Sequence, residues 1–332
     1  MPTLFVSDGV ATTHAAELER LFDESRIGPC EMIVLPPGRD LMDDGAITRL
    51  EAAYVSTDLL RIDGDIRRFL GAVRRAPAIT WLHIGWAGTD APVIQELMDR
   101  GVAVSNSSGV TSEPIALTVI GAMLALHRGF PRWFEAQRRH AWEVLPRDAA
   151  PPDLRGQTMV VLGLGAIGTH IARMARGLGL HVIGVRRTRA TEADQVDEWA
   201  SPDRLGDVLP RADWLAITVP LTAATRQLID RRALSLLPPG AHILNVARGA
   251  VVDEAAMIEA LRSGRLAGAY LDVFETEPLP PESPLWDLPN VIVSPHDSSP
   301  SQGNGARADA IFLEELGNWL RGEPVTRLVT ER

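Results

Sequence analysis

The amino-acid sequence predicts an α/β protein of two domains, each built around a doubly wound parallel sheet. Short apolar segments of strand length alternate with segments of helix length, which is typical of β–α–β units and parallel sheets. These segments form two series, separated by a stretch rich in Pro, Arg and Trp at residues 129–157. A chain of 332 residues is also long enough for about two domains with ample core.

The predicted elements follow in order along the chain. The first series predicts five strands, at Leu4–Ser7, Met32–Leu35, Ala53–Ser56, Ile79–Ile84 and Val102–Ser105. The apolar segment Pro114–Leu126 predicts a buried linking helix, and residues 129–157 predict an extended arm. The second series predicts six strands, at Met159–Leu162, His181–Val185, Trp214–Val219, His242–Val246, Ala269–Val273 and Val291–Ser294. Helical spacing of apolar residues predicts a last helix over Ala306–Leu320.

Composition and charge exclude several classes of protein. The net charge of −10 argues against a nucleic-acid surface, which usually carries a basic face. All 33 basic residues are Arg, so the chain has no Lys for a Schiff base or a Walker-type phosphate loop. Cys30 is the only cysteine, which excludes an intramolecular disulfide and a cysteine-based metal site. The N-terminus lacks a signal-peptide pattern and no apolar run reaches the length of a membrane span, so we expect a cytoplasmic protein without membrane partners.

A glycine-rich turn predicts a dinucleotide site. The apolar strand Met159–Leu162 runs into Gly163-x-Gly165-x-x-Gly168, and a helix-like segment and a second strand follow. Gly163 permits the tight turn, Gly165 lets the backbone approach a pyrophosphate, and Gly168 lets the helix pack close to the strand. The free N–H groups at the start of the helix are then expected to face the phosphates.

Arginines at the end of the second strand indicate that NADP(H) is preferred over NAD(H). In an NAD site, an Asp or Glu about 20 residues after the glycines accepts hydrogen bonds from the ribose 2′-OH. Here that position falls on Arg186, 18 residues after Gly168, and Arg187 and Thr188 follow it. A guanidinium cannot accept a hydrogen bond, but it can pair with a 2′-phosphate. The alternative interpretation is an exposed basic turn without a partner.

Polar residues follow the last three predicted strands at the sheet edge where ligands bind in such folds. Arg248, Glu277 and His296 come after successive strands, and Asp272 lies within a strand end. Because the carboxyl ends of parallel strands share one edge, we expect an Arg, a Glu and a His to meet beside the cofactor. This is the placement typical of catalytic groups.

Several motifs carry a resemblance to a known family. Four of them are VLGLGAIG (161–168), NVARGAVVDE (245–254), LDVFETEPLP (271–280) and SPH (294–296). Together they resemble the motifs of the D-isomer-specific 2-hydroxyacid dehydrogenases, in particular the glyoxylate/hydroxypyruvate reductase-like members of NADP type. The segment WLHIGWAGTD at 81–90 resembles the substrate-binding loop of that family, and NWLRGEPVTRLV at 318–329 resembles its C-terminal segment.

The resemblance implies a particular domain arrangement. A Rossmann nucleotide domain, residues 104–296, would be inserted in a flavodoxin-like substrate domain formed by residues 1–103 and 297–332. The cleft between the two domains would close around the ligand. The family also implies a homodimer, with residues 129–157 as the interface arm.

The resemblance further implies hydride transfer between NADP(H) and C2 of a small 2-keto or 2-hydroxy acid. Arg248 would bind the substrate carboxylate, His296 would be the acid in reduction and the base in oxidation, and Glu277 would orient His296. Substrate contacts would come from Trp86, Ala87, Gly88, Arg248 and His296. Cofactor contacts would come from Gly163, Gly165, Ala166, Ile167, Gly168, Arg186, Arg187, Thr188, Val219, Pro220, Thr225, Ala247, Asp272 and Ser298. The NADPH preference favours reduction, with glyoxylate, hydroxypyruvate or a related keto acid as the substrate.

Two departures from the family pattern bear on the substrate more than on the chemistry. Many members carry Ala-Glu-His in the linking helix, where this chain has Ala116-Leu117-Thr118. After His296 the chain continues Asp297-Ser298-Ser299, where a glycine or alanine is commoner.

Folds of this type also serve functions other than that of a dehydrogenase. Some relatives are nucleotide-sensing scaffolds that bind partner proteins and can keep Arg, Glu and His, so this alternative stays open. A formate dehydrogenase is disfavoured because that resemblance uses a Gln where this chain has Glu277. A Ser-His-Asp hydrolase is disfavoured because the sequence has no GxSxG nucleophile turn.

Overall fold

The computed structural model describes residues 1–36, 38, 42–62, 64–89, 91–146 and 150–329. The chain divides into two compact units: Met1–Val110 together with Ser301–Arg332, and Thr111–Pro300. Asp90 of the predicted substrate loop and residues 147–149 of the predicted arm lie outside the described residues.

The first unit is built on a five-stranded parallel sheet. Its strands are β1 (Thr3–Val6), β2 (Glu31–Val34), β3 (Ala52–Val55), β4 (Trp81–Ile84) and β5 (Ala103–Asn106). Their order in the sheet is β2-β1-β3-β4-β5, and every pairing between them is parallel. This is the flavodoxin-like order, so the predicted fold class of this part of the chain is confirmed.

Helices cover both faces of the first sheet and bury two apolar cores. They are α1 (Asp8–Thr13), α2 (Ala15–Asp23), α3 (Asp44–Arg49), α4 (Asp65–Arg75), α5 (Pro92–Asp99) and α12 (Asn304–Leu320). Phe69 of α4 stacks on Phe5 of β1 with the ring centroids 4.0 Å apart. Phe312 of α12 stacks on Tyr54 of β3 at 4.1 Å, so the returning C-terminal helix completes the core of this unit.

The second unit is built on a seven-stranded parallel sheet. Its strands are β6 (Thr158–Leu162), β7 (His181–Val185), β8 (Glu198–Ala200), β9 (Trp214–Ile217), β10 (Ala241–Asn245), β11 (Leu266–Leu271) and β12 (Val291–Val293). The order is β12-β11-β10-β9-β6-β7-β8, so the direction of winding reverses between β6 and β9. This is the Rossmann order, and the reversal marks the edge where ligands bind in such sheets. The sequence missed β8 because its three residues, Glu-Trp-Ala, form no apolar run.

Helices also cover both faces of the second sheet. They are α6 (Ser112–Arg128), α7 (Phe130–Arg138), α8 (Ala166–Gly177), α9 (Leu205–Val208), α10 (Arg231–Leu236) and α11 (Glu254–Arg262). The linking helix α6 buries apolar side chains, among them Ala116 and Met123, and ends at Gly129, which has a φ of 72°. No single helix in the described part of the chain is long and apolar enough to cross a membrane; α6 and α7 meet that test only as a pair bent by 70°.

The observed boundaries of the units differ from the predicted ones at 103/104 and 296/297. Strand β5 pairs with β4 through Asn106, which keeps the following residues to Val110 in the first unit. At the other boundary, the backbone N–H groups of Asp297 and Ser298 donate to the carboxylate of Asp272, so this turn belongs to the second unit.

Candidate active site

The glycine turn between β6 and α8 needs glycine at two positions for different reasons. Gly163 has a φ of +101°, and a Cβ atom there would lie 2.9 Å from Cγ1 of Val219. A Cβ atom at Gly168 would lie 1.9 Å from the carbonyl oxygen of Gly163, so no side chain fits. The hydroxyl of Thr218, at the end of β9, donates to that same carbonyl at 2.6 Å. The turn is therefore held closely against the neighbouring strand end.

Gly165, the middle glycine of the motif, faces open space, which fits the pyrophosphate of a dinucleotide. A Cβ atom at Gly165 would have no other atom within 4 Å. Gly165 also precedes the first residue of α8 and offers no capping side chain, so the N–H groups of Ala166, Ile167 and Gly168 have no acceptor within the helix. The positive end of a 12-residue helix is thus available to an anion.

Arg186 is bound within its own turn. Its guanidinium forms an ion pair with Oδ1 of Asp194 at 2.7 Å and donates to the carbonyl oxygens of Thr188 and Arg189 at 3.0 Å each. Burial raises the pKa of Asp194, but hydrogen bonds from Thr191 and the charge of Arg186 outweigh it and hold the pKa below its usual value. Arg186 therefore shapes the turn at the end of β7.

Two neighbouring arginines, by contrast, are exposed and available. The side chains of Arg187 and Arg189 form no hydrogen bond or ion pair with any residue that the structure describes. Thr188 lies between them and is also exposed. Free guanidinium groups at this strand end suit a phosphate better than the engaged group of Arg186 does.

The loop after β10 presents Arg248 to solvent. The buried side chain of Asn245 accepts from the N–H of Ala247 at 3.1 Å and donates to the carbonyl oxygen of Arg248 at 3.3 Å. A Cβ atom at Gly249 would lie 1.8 Å from the carbonyl carbon of Phe274, so this loop packs directly on the backbone that follows β11. Arg248 is exposed, and Nη1 of its guanidinium donates to the carbonyl oxygen of Ala247 at 2.7 Å. It forms no ion pair with a described residue, so its charge is available to a carboxylate.

Glu277 and His296 form a hydrogen-bonded pair. Nδ1 of His296 lies 2.8 Å from Oε2 of Glu277, whose other oxygen accepts from the N–H of Phe274 at 3.1 Å. The carboxylate therefore binds Nδ1 as an N–H donor and turns Nε2 away from itself. Among the described residues Nε2 has no hydrogen-bond partner, and the imidazole side chain is 48% exposed. A ring held in this way can exchange a proton at Nε2.

The turn that carries His296 is fixed by Asp272. His296 has a φ of +54°, in the left-handed region, and its N–H donates to the carbonyl oxygen of Asp272 at 2.8 Å. The carboxylate of Asp272 is buried and accepts from the side chains of Ser294 and Ser298. Asp272 and Ser298 are both predicted to contact the cofactor. In this structure the hydroxyl of Ser298 donates a hydrogen bond to Oδ2 of Asp272 at 2.5 Å.

The other predicted cofactor contacts lie at the same edge of the second sheet. Val219 follows β9 and packs against the turn at Gly163. The hydroxyl of Thr225 donates to the carbonyl oxygen of Pro220 at 2.6 Å and so closes the loop after β9. Ala247 is buried in the loop after β10.

The predicted substrate loop belongs to the first unit and follows β4. Trp86 is partly buried against the core of that unit, while Ala87 and Gly88 are exposed. The side-chain amide of Asn106 donates to the carbonyl oxygen of Ala87 at 2.9 Å, which orders the loop. The roles of these three residues stay predictions.

Comparison with known proteins identifies the family. The model of the D-isomer specific 2-hydroxyacid dehydrogenase NAD binding domain matches residues 120–298, more than half of the chain. The chain belongs to the D-isomer specific 2-hydroxyacid dehydrogenases. The resemblance predicted from the sequence motifs is thereby confirmed.

Individual dehydrogenases of this family are similar over much of the chain. Glyoxylate reductase of Aeropyrum pernix is 34% identical over 276 residues, which are 81% of this chain and 80% of that protein. D-3-phosphoglycerate dehydrogenase of Methanocaldococcus jannaschii is 30% identical over 82% of this chain, but the match spans only 51% of that longer protein. A crystal structure of a D-isomer specific 2-hydroxyacid dehydrogenase from Xanthobacter autotrophicus, in complex with NADPH and MES, is 29% identical. It aligns with a TM-score of 0.68 over 99% of this chain and 97% of the other.

Three residues that shape the dehydrogenase site were missed by sequence reasoning. Asn245 orders the Arg248 loop, Asp194 binds Arg186, and Thr218 fixes the glycine turn. Asn245 left a usable signal, since a buried amide at the end of an apolar strand needs partners. Asp194 and Thr218 left none, because their partners are set by how loops and strand ends meet in space.

Proposed function

We propose that this protein is an NADPH-preferring reductase that converts a small 2-keto acid, glyoxylate or hydroxypyruvate, to the D-2-hydroxy acid. The observation that carries the proposal is the pair of His296 and Glu277. It leaves Nε2 of the imidazole without a hydrogen-bond partner among the described residues, at the same edge of the second sheet as the glycine turn. The glyoxylate reductases among its relatives support the substrate class.

The chain's own residues supply substrate binding and proton transfer. The planar guanidinium of Arg248 suits a bidentate hold on the substrate carboxylate. A reduced nicotinamide, held by the glycine turn and the start of α8, would supply the hydride that is added to C2. His296 donates the Nε2 proton to the C2 oxygen, and its Nδ1–H stays bonded to Glu277 throughout. In the reverse direction, Nε2 of His296 takes the proton back from the hydroxyl group.

The stereochemistry of the product tests this function. Reduction of hydroxypyruvate creates a chiral centre at C2, and we expect D-glycerate as the product of incubation with NADPH. Chiral chromatography of the reaction mixture measures the ratio of enantiomers. Formation of L-glycerate would contradict the assignment. An absence of product together with tight NADPH binding would favour the nucleotide-sensing alternative.

The preference for NADPH is part of the proposal, and we base the choice of its main contact on which side chains are already paired. Arg187 and Thr188 are exposed at the end of β7, whereas Arg186 is engaged by Asp194. We therefore assign the ribose 2′-phosphate to Arg187 and Thr188, with Arg186 holding the shape of the turn. The NADPH complex of the structural relative supports this type of cofactor.

Arg187→Ser should raise the KM for NADPH by about 10- to 100-fold, the range expected for loss of one charge-assisted hydrogen bond. The KM for NADH should stay within about twofold of the native value, because NADH has no 2′-phosphate. Arg262→Ser removes an exposed arginine from the end of α11 and serves as the matched control. Steady-state kinetics with both cofactors measure these values. An unchanged KM for NADPH in the Arg187 variant would contradict the assignment.

We also propose that the protein is a homodimer that uses the segment around α7. Large apolar side chains are exposed there, with Trp133 at 45%, Phe134 at 57% and Trp142 at 96%. A cluster of exposed aromatic residues marks an interaction surface. The cytoplasmic location and the absence of nucleic-acid and membrane partners stay predictions from the sequence.

Phe134→Glu should convert the dimer to a monomer, because a carboxylate would be placed in the apolar contact. Leu60→Glu is the control, since Leu60 is 58% exposed in the first unit and outside the proposed interface. Light scattering coupled to gel filtration gives the molar mass of each variant. A native protein of about 36 kDa, the mass of one chain, would overturn the dimer.

A further inference from the structure

Two departures from the family's usual sequence meet in the second unit. Thr118 stands on α6 in the segment Ala116-Leu117-Thr118, and Ser298 stands in the segment Asp297-Ser298-Ser299, the two segments that depart from the pattern expected of the family. The hydroxyl of Thr118 donates to the carbonyl oxygen of Ser298 at 3.0 Å, and it also reaches the carbonyl oxygen of Pro114 at 3.1 Å. The side chain of Thr118 therefore binds the backbone of residue 298.

Ser298 in turn forms two hydrogen bonds with Asp272. Its hydroxyl donates to Oδ2 of Asp272 at 2.5 Å and its backbone N–H donates to the same oxygen at 3.3 Å. Ser298 is 5% exposed and Asp272 is 2% exposed, so water competes little for these bonds. A glycine or alanine at position 298 would lack the hydroxyl and leave Oδ2 with the weaker backbone bond alone.

The other oxygen of Asp272 holds the opposite side of the turn. Oδ1 accepts from the hydroxyl of Ser294 at 2.5 Å and from the N–H of Asp297 at 2.8 Å. His296 lies between these anchored residues with a φ of +54°, a left-handed conformation that is uncommon for residues other than glycine. The direction of the imidazole thus depends on how firmly the segment 294–298 is held.

We propose that Thr118 and Ser298 are positioning residues that, through Asp272, hold the turn bearing His296. This inference rests on the proposed function for its effect on the reaction. Helix α6 provides a rigid base, because Ile115 and Val119 on either side of Thr118 are buried in the core of the second unit. The link gives the second unit a fixed connection between the core helix and the turn that bears the proton donor.

A double-mutant cycle tests the link. Thr118→Val and Ser298→Ala should each lower kcat about 10-fold, while the KM for the keto acid stays within about twofold in both variants. The Kd for NADPH should stay within about twofold in Thr118→Val, since Thr118 is not among the predicted cofactor contacts. The kcat of the double variant should be only slightly below that of the less active single variant, because both changes release the same turn. Thr118→Ser keeps the hydroxyl and should restore kcat to near the native value. Native kcat in both single variants, additive losses in the double variant, or an equal loss in Thr118→Ser would overturn the proposal.

A second measurement decides the inference even if the native protein reduces none of the keto acids. NMR spectra of histidine-labelled protein report the ring of His296, with its signals assigned by their loss in His296→Gln. Thr118→Val and Ser298→Ala should shift or broaden these signals and leave those of His83, which is buried in the first unit, unchanged. Ring signals of His296 that coincide with those of the native protein would overturn the positioning role.

Discussion

His296→Gln should lower kcat about 10³-fold for glyoxylate and hydroxypyruvate, which corresponds to roughly 4 kcal/mol of transition-state stabilisation. Glutamine fills much of the same volume but cannot donate an acidic proton to the developing oxyanion. The Kd for NADPH should stay within about twofold, because the imidazole is assigned to the substrate and not to the phosphates. Stopped-flow or steady-state absorbance of NADPH measures kcat, and fluorescence titration measures Kd.

The chain offers a matched control for this change. His181 forms a second His–Glu pair, with Nε2 2.9 Å from Oε1 of Glu198, at the amino end of β7 and so at the opposite edge of the sheet. His181→Gln should therefore leave kcat within about twofold of the native value. Glu277→Gln should fall between the two, since an amide can still accept from Nδ1 of His296 but cannot stabilise the protonated ring. A His296 variant with native kcat would remove the acid–base assignment.

Arg248→Gln should lower kcat/KM about 10³-fold, mainly through a higher KM for the keto acid. The guanidinium is exposed and has no ion-pair partner among the described residues, so its charge is available to the substrate carboxylate. Lysine at this position keeps the charge but loses the planar pair of donors, so Arg248→Lys should recover only part of the loss. Steady-state kinetics at several keto-acid concentrations separate KM from kcat.

A surface arginine that is already paired is the control for Arg248. Arg231 binds both oxygens of Glu259, at 2.5 and 3.1 Å, on the outside of α10 and α11. Arg231→Gln should leave kcat/KM for the keto acid unchanged. If Arg248→Gln behaves like this control, the carboxylate is held by other groups and the proposed binding mode is incorrect.

Strand order and strand ends explain how much of the structure the sequence could predict. The placement of Arg248, Glu277 and His296 after three successive parallel strands followed from the predicted strand order, and the structure shows the pair of His296 and Glu277 at 2.8 Å. The glycine turn was likewise predictable, because Gly168 leaves no room for a Cβ atom and Gly163 has a positive φ. These features depend on local geometry that few residue types satisfy.

Other features depend on contacts between segments far apart in the chain. The ion pair of Arg186 with Asp194 could not be predicted, because no pattern shows that Asp194 returns to bind it. The contact from Thr118 to Ser298 joins residues 180 positions apart, and neither residue type indicates the other as its partner. The unit boundaries also moved, since β5 and the turn after His296 take their places from pairing partners and not from composition.

Initial rates with the native protein test the central claim most directly. NADPH and NADH are each assayed with glyoxylate, hydroxypyruvate, pyruvate and a bulky aromatic keto acid, with absorbance as the readout. We expect turnover with NADPH to be well above that with NADH, and glyoxylate or hydroxypyruvate to be the fastest substrate. Clear binding of NADPH without turnover of any of the four acids would contradict a 2-keto acid reductase.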